Sequence, residues 1–598
     1  MFLFKRIVWI VVFFITIASY GQEKNAVLIH SHNDYVQSVP FWTAFSNGLN
    51  SIEVDVFLKN KSLKVAHTDA EIDAERTLED LYLIPLNSAI ENNIGSIHQF
   101  HLMIDVKSEA ITTLNAIIKR LKKYPKIIEH PEIKIVISGN RPEAENYRNY
   151  PEFIFFDYQK ISHNLSEENW KKVAMVSTSF KQYSHWNGKG RLTHEDLEKV
   201  TNVLAQAKSL GKTFRFWATP DSKTAWRTFV DLGVDVINTD AIYECSKYVR
   251  SLDSRIHKAT IFSEVYSPNF KSDNRDKPVK NIILMIGDGT GLSQISAAVL
   301  ANKGALTLTQ LKSIGLVKTQ AADDFSTDSA AAATAMATGQ KTNNRAIGTD
   351  VNGEPLKNIL EILSGKGFKT GIITTDEITG ATPSSFYAHQ IDRSETLAIA
   401  KDLISSPLNF FAGGGKSTFN TLPIASNFFV INQLNELNNQ KVAKVGFFLS
   451  ENGVPSIIDG RSNVLSKTTK EAITFLSKDN SPFFLLVEGA QIDSFGHYND
   501  IEGVISEAID FDTAITEAIK FADRDGETLV VITADHETSG LSLLDGAMNT
   551  NKIEADFASH DHTGVMVPIF AYGPGSGKFQ GVYENTALFS KILHALNK

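Results

Sequence analysis

The segment TDSAAAATAMATG, Thr327 to Gly339, sets one hydroxyl, Ser329, directly before a run of alanines. Alanine is the strongest helix former, so the run predicts a helix from about Ala330 onward. Thr327, Asp328 and Ser329 are all residue types that cap a helix N-terminus, where unpaired N–H groups and the positive dipole end favour an anion. Ser329 therefore reads as both cap and nucleophile. Polar residues of metal-binding type end several apolar runs further along. Asp288 follows NIILMIG; Glu488, Asp493 and His497 lie in VEGAQIDSFGH; Asp535 and His536 lie in TADHETSG; and His562 lies in SHDHTG. Carboxylates and imidazoles without a nearby cysteine suit zinc together with a harder cation such as Mg2+.

A second constellation lies near the other end of the chain. His30 and His32 occur in HSHNDY, Glu53 and Asp55 in IEVDV, His67 in VAHTD, and Asp105 with Lys107 in IDVK. Strand alternation turns Glu53 and Asp55 to the same side. Glu53, Asp55 and Asp105 would form an oxygen-rich site for one Mg2+ or Ca2+. Two histidines across that site, His32 and His67, would serve as general base and acid, the pair needed to cleave a phosphodiester. His32 is preferred over His30 for its spacing to Glu53.

The elements that must carry these groups follow from hydrophobic patterning. Short β-rich runs at 26–32, 51–58, 101–107, 133–139, 153–157, 173–179, 213–218 and 234–240 alternate with helical stretches, which predicts a (β/α)8 TIM-type barrel over 22–250. Catalysis in such barrels sits at the C-terminal ends of the strands. Residues 251–278 are polar and aperiodic and read as a linker. A second α/β unit over 279–598 has strands at 281–289, 369–376, 482–489, 528–535 and 567–573, with a helix at 502–522. The segment 415–465 has weak periodicity and is left unassigned.

The first 21 residues combine a basic start, Lys5 and Arg6, with an apolar run too short for a comfortable membrane span. They read as a secretory signal cleaved after Gly21, which predicts an exported, periplasmic or extracellular protein with no stable transmembrane segment. The net charge of −9 implies no general affinity for nucleic acid. Cys245 is the only cysteine, so no intrachain disulfide can form.

IGDGTG, TDSAAAATAMATG, GATPSSFYAHQIDR, VEGAQIDSFGH, TADHETSG and HTG occur in the order of the alkaline phosphatases, and residues 279–598 resemble that family. The resemblance implies a three-layer α/β domain with a central, mostly parallel sheet. It implies a first zinc on Asp493, His497 and His562, and a second on Asp288, Asp535 and His536. It places Mg2+ on Asp288, Thr382 and Glu488, and Arg393 as a phosphate clamp. Ser329 would be activated by the metal and carry a phosphoseryl intermediate. Two positions depart from well-known members: Gly380 stands where they carry Asp or His, and Ser494 where they carry Lys or His. The span from Arg393 to Glu488 is short compared with larger members, which leaves a homodimer open. The N-terminal motifs resemble the phosphatidylinositol-phospholipase-C-like and glycerophosphodiester phosphodiesterase superfamily. HSHNDY lacks the usual His-Arg-Gly opening, and Lys107 would take over the phosphate contact of the lost arginine.

Together these readings predict an exported phosphomonoesterase with a phosphodiesterase-like barrel, scavenging phosphate from small organic esters. Two alternatives stand beside it: a barrel that only binds, or a phosphodiesterase reaction in the C-terminal domain.

Overall fold

A computed structural model describes residues 27–597. The expected signal segment, 1–21, lies outside the described residues. The chain divides into two compact units, Met1–Leu252 and Asp253–Lys598.

In the first unit the eight expected strands form a closed parallel barrel. Leu28–Ser31 pairs with Val236–Thr239 on one side and with Ser51–Lys59 on the other, so the sheet has no free edge there. The patterning did not foresee a ninth strand, Ser62–Val65, which turns back antiparallel on Ser51–Lys59. Helices such as Ala110–Leu121 and His194–Ser209 return the chain between strands. Cys245 is buried on the helix Ile242–Arg250, and burial pushes its thiol pKa up.

The second unit is built on a ten-stranded mixed sheet. Its centre is parallel: Asn281–Gly287 lies between Phe483–Gly489 and Thr528–Thr533. Val567–Tyr572 runs antiparallel to Thr528–Thr533, so the sheet is parallel at the centre and mixed toward this edge. Alternate residues of the central strands enter two separate cores. Ile283, Met285, Leu485 and Val530 face the helices Ile501–Asp525 and Val464–Ser477. Ile282, Leu284, Leu486 and Val531 face the alanine-rich helix Ser329–Thr338 and Ala587–Ala595. This is the expected three-layer sandwich. Within this unit, Ala259 of the polar stretch 251–278 is buried in the core, and Tyr266 donates to Asp523 at 2.8 Å. The unassigned segment 415–465 consists of short strands, Phe429–Ile431 and Val445–Phe448, among 3-10 turns. Among the described residues no helix is long and apolar enough to cross a membrane.

Candidate active sites

In the second unit the polar groups gather at the C-terminal ends of the parallel strands, where open α/β sheets form their crevice. Asp288 follows one central strand, Asp535 and His536 follow its neighbour, and Glu488 lies near the end of the third. Asp493 and His497 are one turn apart on the helix Gln491–Tyr498. Gly289, at φ 70°, makes the turn after Asp288, and a Cβ there would come within 2.7 Å of the Asp493 backbone. The glycine is thus what lets strand end and helix approach each other.

Asp288, Asp535 and His536 converge closely enough to share one ion, as the expected second zinc trio requires. His497 Nε2 lies 3.3 Å from Asp493 Oδ2 and 3.1 Å from His562 Nε2, which assembles the expected first trio. Asp493 and His562 also converge with His536, and the Asp561 carboxylate joins His497 and His562. Thr382 Oγ1 lies 3.5 Å from Asp288 Oδ2, and Glu488 accepts from Thr374.

The electrostatics of this cluster call for cations. Asp535 Oδ1 accepts the N–H groups of Gly289 and His536 at 3.1 and 3.0 Å, while its buried Oδ2 receives no hydrogen bond and lies 3.2 Å from His536 Nε2. Asp288 Oδ1 is likewise buried without a hydrogen bond, 3.5 Å from the same His536 Nε2. Burial and the charges of Asp535, Asp493 and Glu488 push Asp288 well above the carboxylate range. Burial, then the charge of Asp376, raises Glu488 to about 8. Burial works against ionisation of Asp493, but hydrogen bonds from His497 and His562 hold it well down. His497 rises to about 9 through its bond to Asp493. Buried carboxylate oxygens without donors are costly, and divalent ions are the partners that fit oxygen and imidazole together.

Ser329 is 4% exposed, and its Oγ lies 3.3 Å from His536 Nε2. One expectation needs correction here: Asp328, not Ser329, is the N-cap. Asp328 Oδ1 accepts the Ala331 N–H at 3.0 Å, and Ser329 is the first helical residue. Its hydroxyl, freed from capping, points to the cluster. Arg393 Nη1 donates to Asp328 Oδ2 at 3.1 Å, which places the guanidinium beside the same helix end. Sequence reasoning missed Thr538, which donates to Asp493 and lies 3.2 Å from His536 Nδ1, orienting both. Nothing in TADHETSG separates this threonine from an ordinary loop residue.

In the barrel, Glu53, Asp55 and Asp105 converge as expected. Asp55 Oδ1 is buried without a partner, while its Oδ2 receives Tyr35 at 2.9 Å, His67 at 3.0 Å and the Lys107 ammonium at 3.0 Å. Lys107 also meets Asp105 at 2.5 Å, so its charge lies inside the acid cluster. The two histidines of HSHNDY separate by depth. His30 is fully buried between Ser51 and Glu53, 2.7 Å from each, and burial lowers its pKa to about 4. His32, beyond the strand end, is partly exposed and bonds Asp240 at 2.8 Å. Burial lowers its basicity, but the Asp240 bond and the Glu53 charge outweigh this and raise it. Sequence reasoning also missed Arg215, whose Nη1 lies 3.0 Å from both Glu53 Oε2 and Asn238 Oδ1.

A sheet whose strand ends hold acids and imidazoles against a helix-terminal serine defines a metal-dependent phosphoester hydrolase. The alkaline phosphatase family profile matches residues 279–427, 425–553 and 542–598. Alkaline phosphatase 3 of Bacillus subtilis is 33% identical over 54% of this chain and 90% of its own length. Alkaline phosphatase of Escherichia coli is 33% identical over 54% of this chain and 87% of its own length. The solved structure of alkaline phosphatase from the Antarctic bacterium TAB5 superposes with a TM-score of 0.52 at 42% identity, over 54% of this chain and 99% of that one. A variant of that enzyme is described with Mg bound in its M3 site. The chain belongs to the alkaline phosphatase family. In the barrel, an AIM6-like phosphodiesterase domain profile matches residues 19–112 and a glycerophosphoryl diester phosphodiesterase profile matches residues 213–241.

Proposed function

We propose that the second unit is an exported phosphomonoesterase that uses Ser329 as nucleophile, and that the barrel opens phosphodiesters, so that the two scavenge phosphate from small organic esters. The observation carrying this reading is Ser329 Oγ, 3.3 Å from His536 Nε2 at a helix start, with that same nitrogen facing the buried Asp288 and Asp535 oxygens that receive no hydrogen bond. Asp493, His497 and His562 would hold one zinc; Asp288, Asp535 and His536 a second; Asp288, Thr382 and Glu488 a Mg2+. Bound there, such ions lower the pKa of a serine hydroxyl and neutralise charge on the attacking and leaving oxygens.

Ser329 Oγ loses its proton and attacks phosphorus, forming the Ser–O–P bond as the bond to the alcohol oxygen breaks. The alcohol leaves with a proton, and water then cleaves phosphoserine to return the serine and inorganic phosphate. The positive end of the helix that starts at Ser329 would favour the phosphoryl oxygens, and Arg393, held by Asp328, would supply charge-assisted donors to them. In the barrel, Glu53, Asp55 and Asp105 would hold one Mg2+ or Ca2+. His32 and His67, each braced by a carboxylate, would move the protons of diester cleavage.

One observation favours a binding role for the barrel instead: Lys107 already places positive charge among the acids, and Arg215 with His30 occupies Glu53 Oε2. Full-length protein supplied with zinc and magnesium, assayed on p-nitrophenyl phosphate and on bis-(p-nitrophenyl) phosphate, separates the readings. Ser329→Ala should abolish monoester hydrolysis and the acid-trapped phosphoserine, and His32→Ala should abolish only diester hydrolysis. Monoester turnover by Ser329→Ala at the parent rate overturns the phosphatase mechanism. Diester turnover unchanged in His32→Ala leaves the barrel a binding module.

A further inference from the structure

Asp376 is a carboxylate for which the scheme above has no use. It lies near the end of the strand Lys369–Glu377, four residues before Gly380. Gly380 precedes the short helix Ala381–Ser384 that carries Thr382, and its backbone, at φ −59°, would accept any side chain. What a side chain would meet is the Asp376 carboxylate, which would have to turn aside: a Cβ on Gly380 would come 2.1 Å from Asp376 Oδ2. The carboxylate of Asp376 thus occupies the volume into which a side chain at 380 would grow, next to Thr382.

Thr382, two residues beyond Gly380, faces an acid. Thr382 Oγ1 lies 3.5 Å from Asp288 Oδ2, and Asp288, only 7% exposed, keeps its other oxygen without a hydrogen-bond partner. The charge of Asp376 bears on Glu488 more strongly than that of Asp535 does. Thr374 Oγ1 links the two acids, accepting the Asp376 N–H at 2.8 Å and donating to Glu488, and every side-chain donor atom named here is oxygen. A cation in this place would be a hard one, Mg2+ rather than zinc.

We propose that Asp376 supplies a carboxylate to the third, magnesium site beside Asp288, Thr382 and Glu488, and that residue 380 is glycine to make room for it. The inference rests on the metal assignment made above for Asp288, Thr382 and Glu488.

Metal content tests it without reference to turnover. Full-length protein is stripped, equilibrated with Zn2+ and Mg2+, desalted and counted by inductively coupled plasma mass spectrometry, with Mg2+ affinity taken from titration. Asp376→Asn, equal in shape but uncharged, should keep the parent zinc content and bind Mg2+ about 10- to 100-fold more weakly. Asp376→Ala should lose Mg2+ similarly, and Asp376→Ala/Gly380→Asp, which returns a carboxylate to the same volume, should regain it. Unchanged Mg2+ affinity in Asp376→Asn, or a double variant no better than Asp376→Ala, overturns the inference. A parent chain that takes up no divalent metal instead defeats the reading of the whole site, so the two failures are distinct.

Discussion

Arg393 Nη1 donates to Asp328 Oδ2 at 3.1 Å, while the other oxygen of the same carboxylate caps the helix that begins at Ser329. One side chain thus fixes both the serine and the guanidinium. Asp328→Ala should cost about 1 kcal/mol of stability as the cap is lost. Asp328→Asn keeps an oxygen for Ala331 but not the ion pair. It should melt near the parent temperature yet show roughly fivefold weaker inhibition by inorganic phosphate, about 1 kcal/mol for a partly exposed pair. Melting curves and inhibition constants on the two variants separate the roles.

Chelation should abolish monoester hydrolysis, and zinc with magnesium should restore it. It should also change the pH dependence of stability. Burial, then the Asp376 charge, raises Glu488 from 4.5 to about 8. The folded metal-free protein therefore binds a proton that the unfolded chain has released, and stability falls as pH rises from 4.5 to about 8. Melting temperatures of EDTA-treated protein should decline across that window, and metal-loaded protein should not follow.

The barrel should respond in the opposite sense on the acid side. Burial lowers His101 from 6.5 to about 3, with the Lys134 charge assisting, and its Nδ1 has no partner. Between those values the unfolded chain holds the proton and the folded one does not, so stability is lost as pH falls. His101→Phe should make the acid limb shallower by up to about 1.4 kcal/mol per pH unit, read from urea midpoints.

Arg461 is buried against Glu507 and Asp510, within hydrogen-bond reach of both carboxylates on the long helix Ile501–Asp525. Arg461→Met strands two buried acids and should cost about 3–5 kcal/mol. Adding Glu507→Gln and Asp510→Asn should recover much of that loss in thermal melts.

The regular parts of both units were legible because burial imposes a period. Runs such as IKIVISG and FFLLVEG are strands whose neighbours on both faces are apolar. The helix Ile501–Asp525 repeats its apolar residues at helical spacing. The hairpin strand SLKV alternates polar and apolar residues, but four residues are too few to stand out as a strand. The segment 415–465 shows no period, because contacts distant in sequence such as Arg461 with Glu507 hold it in place. At the sites, clustered acids and histidines stood out by type. Asp328 and Ser329 are both capping residues, and only geometry shows which reaches Ala331. Asp376 and Arg215 look like ordinary charged residues until their neighbours in space are known.

Cys245 offers its single sulfur to nothing outside the fold: it is buried, and its thiol resists ionisation. With no second cysteine in the sequence to pair with, the fold draws no disulfide cross-link from an oxidising surrounding.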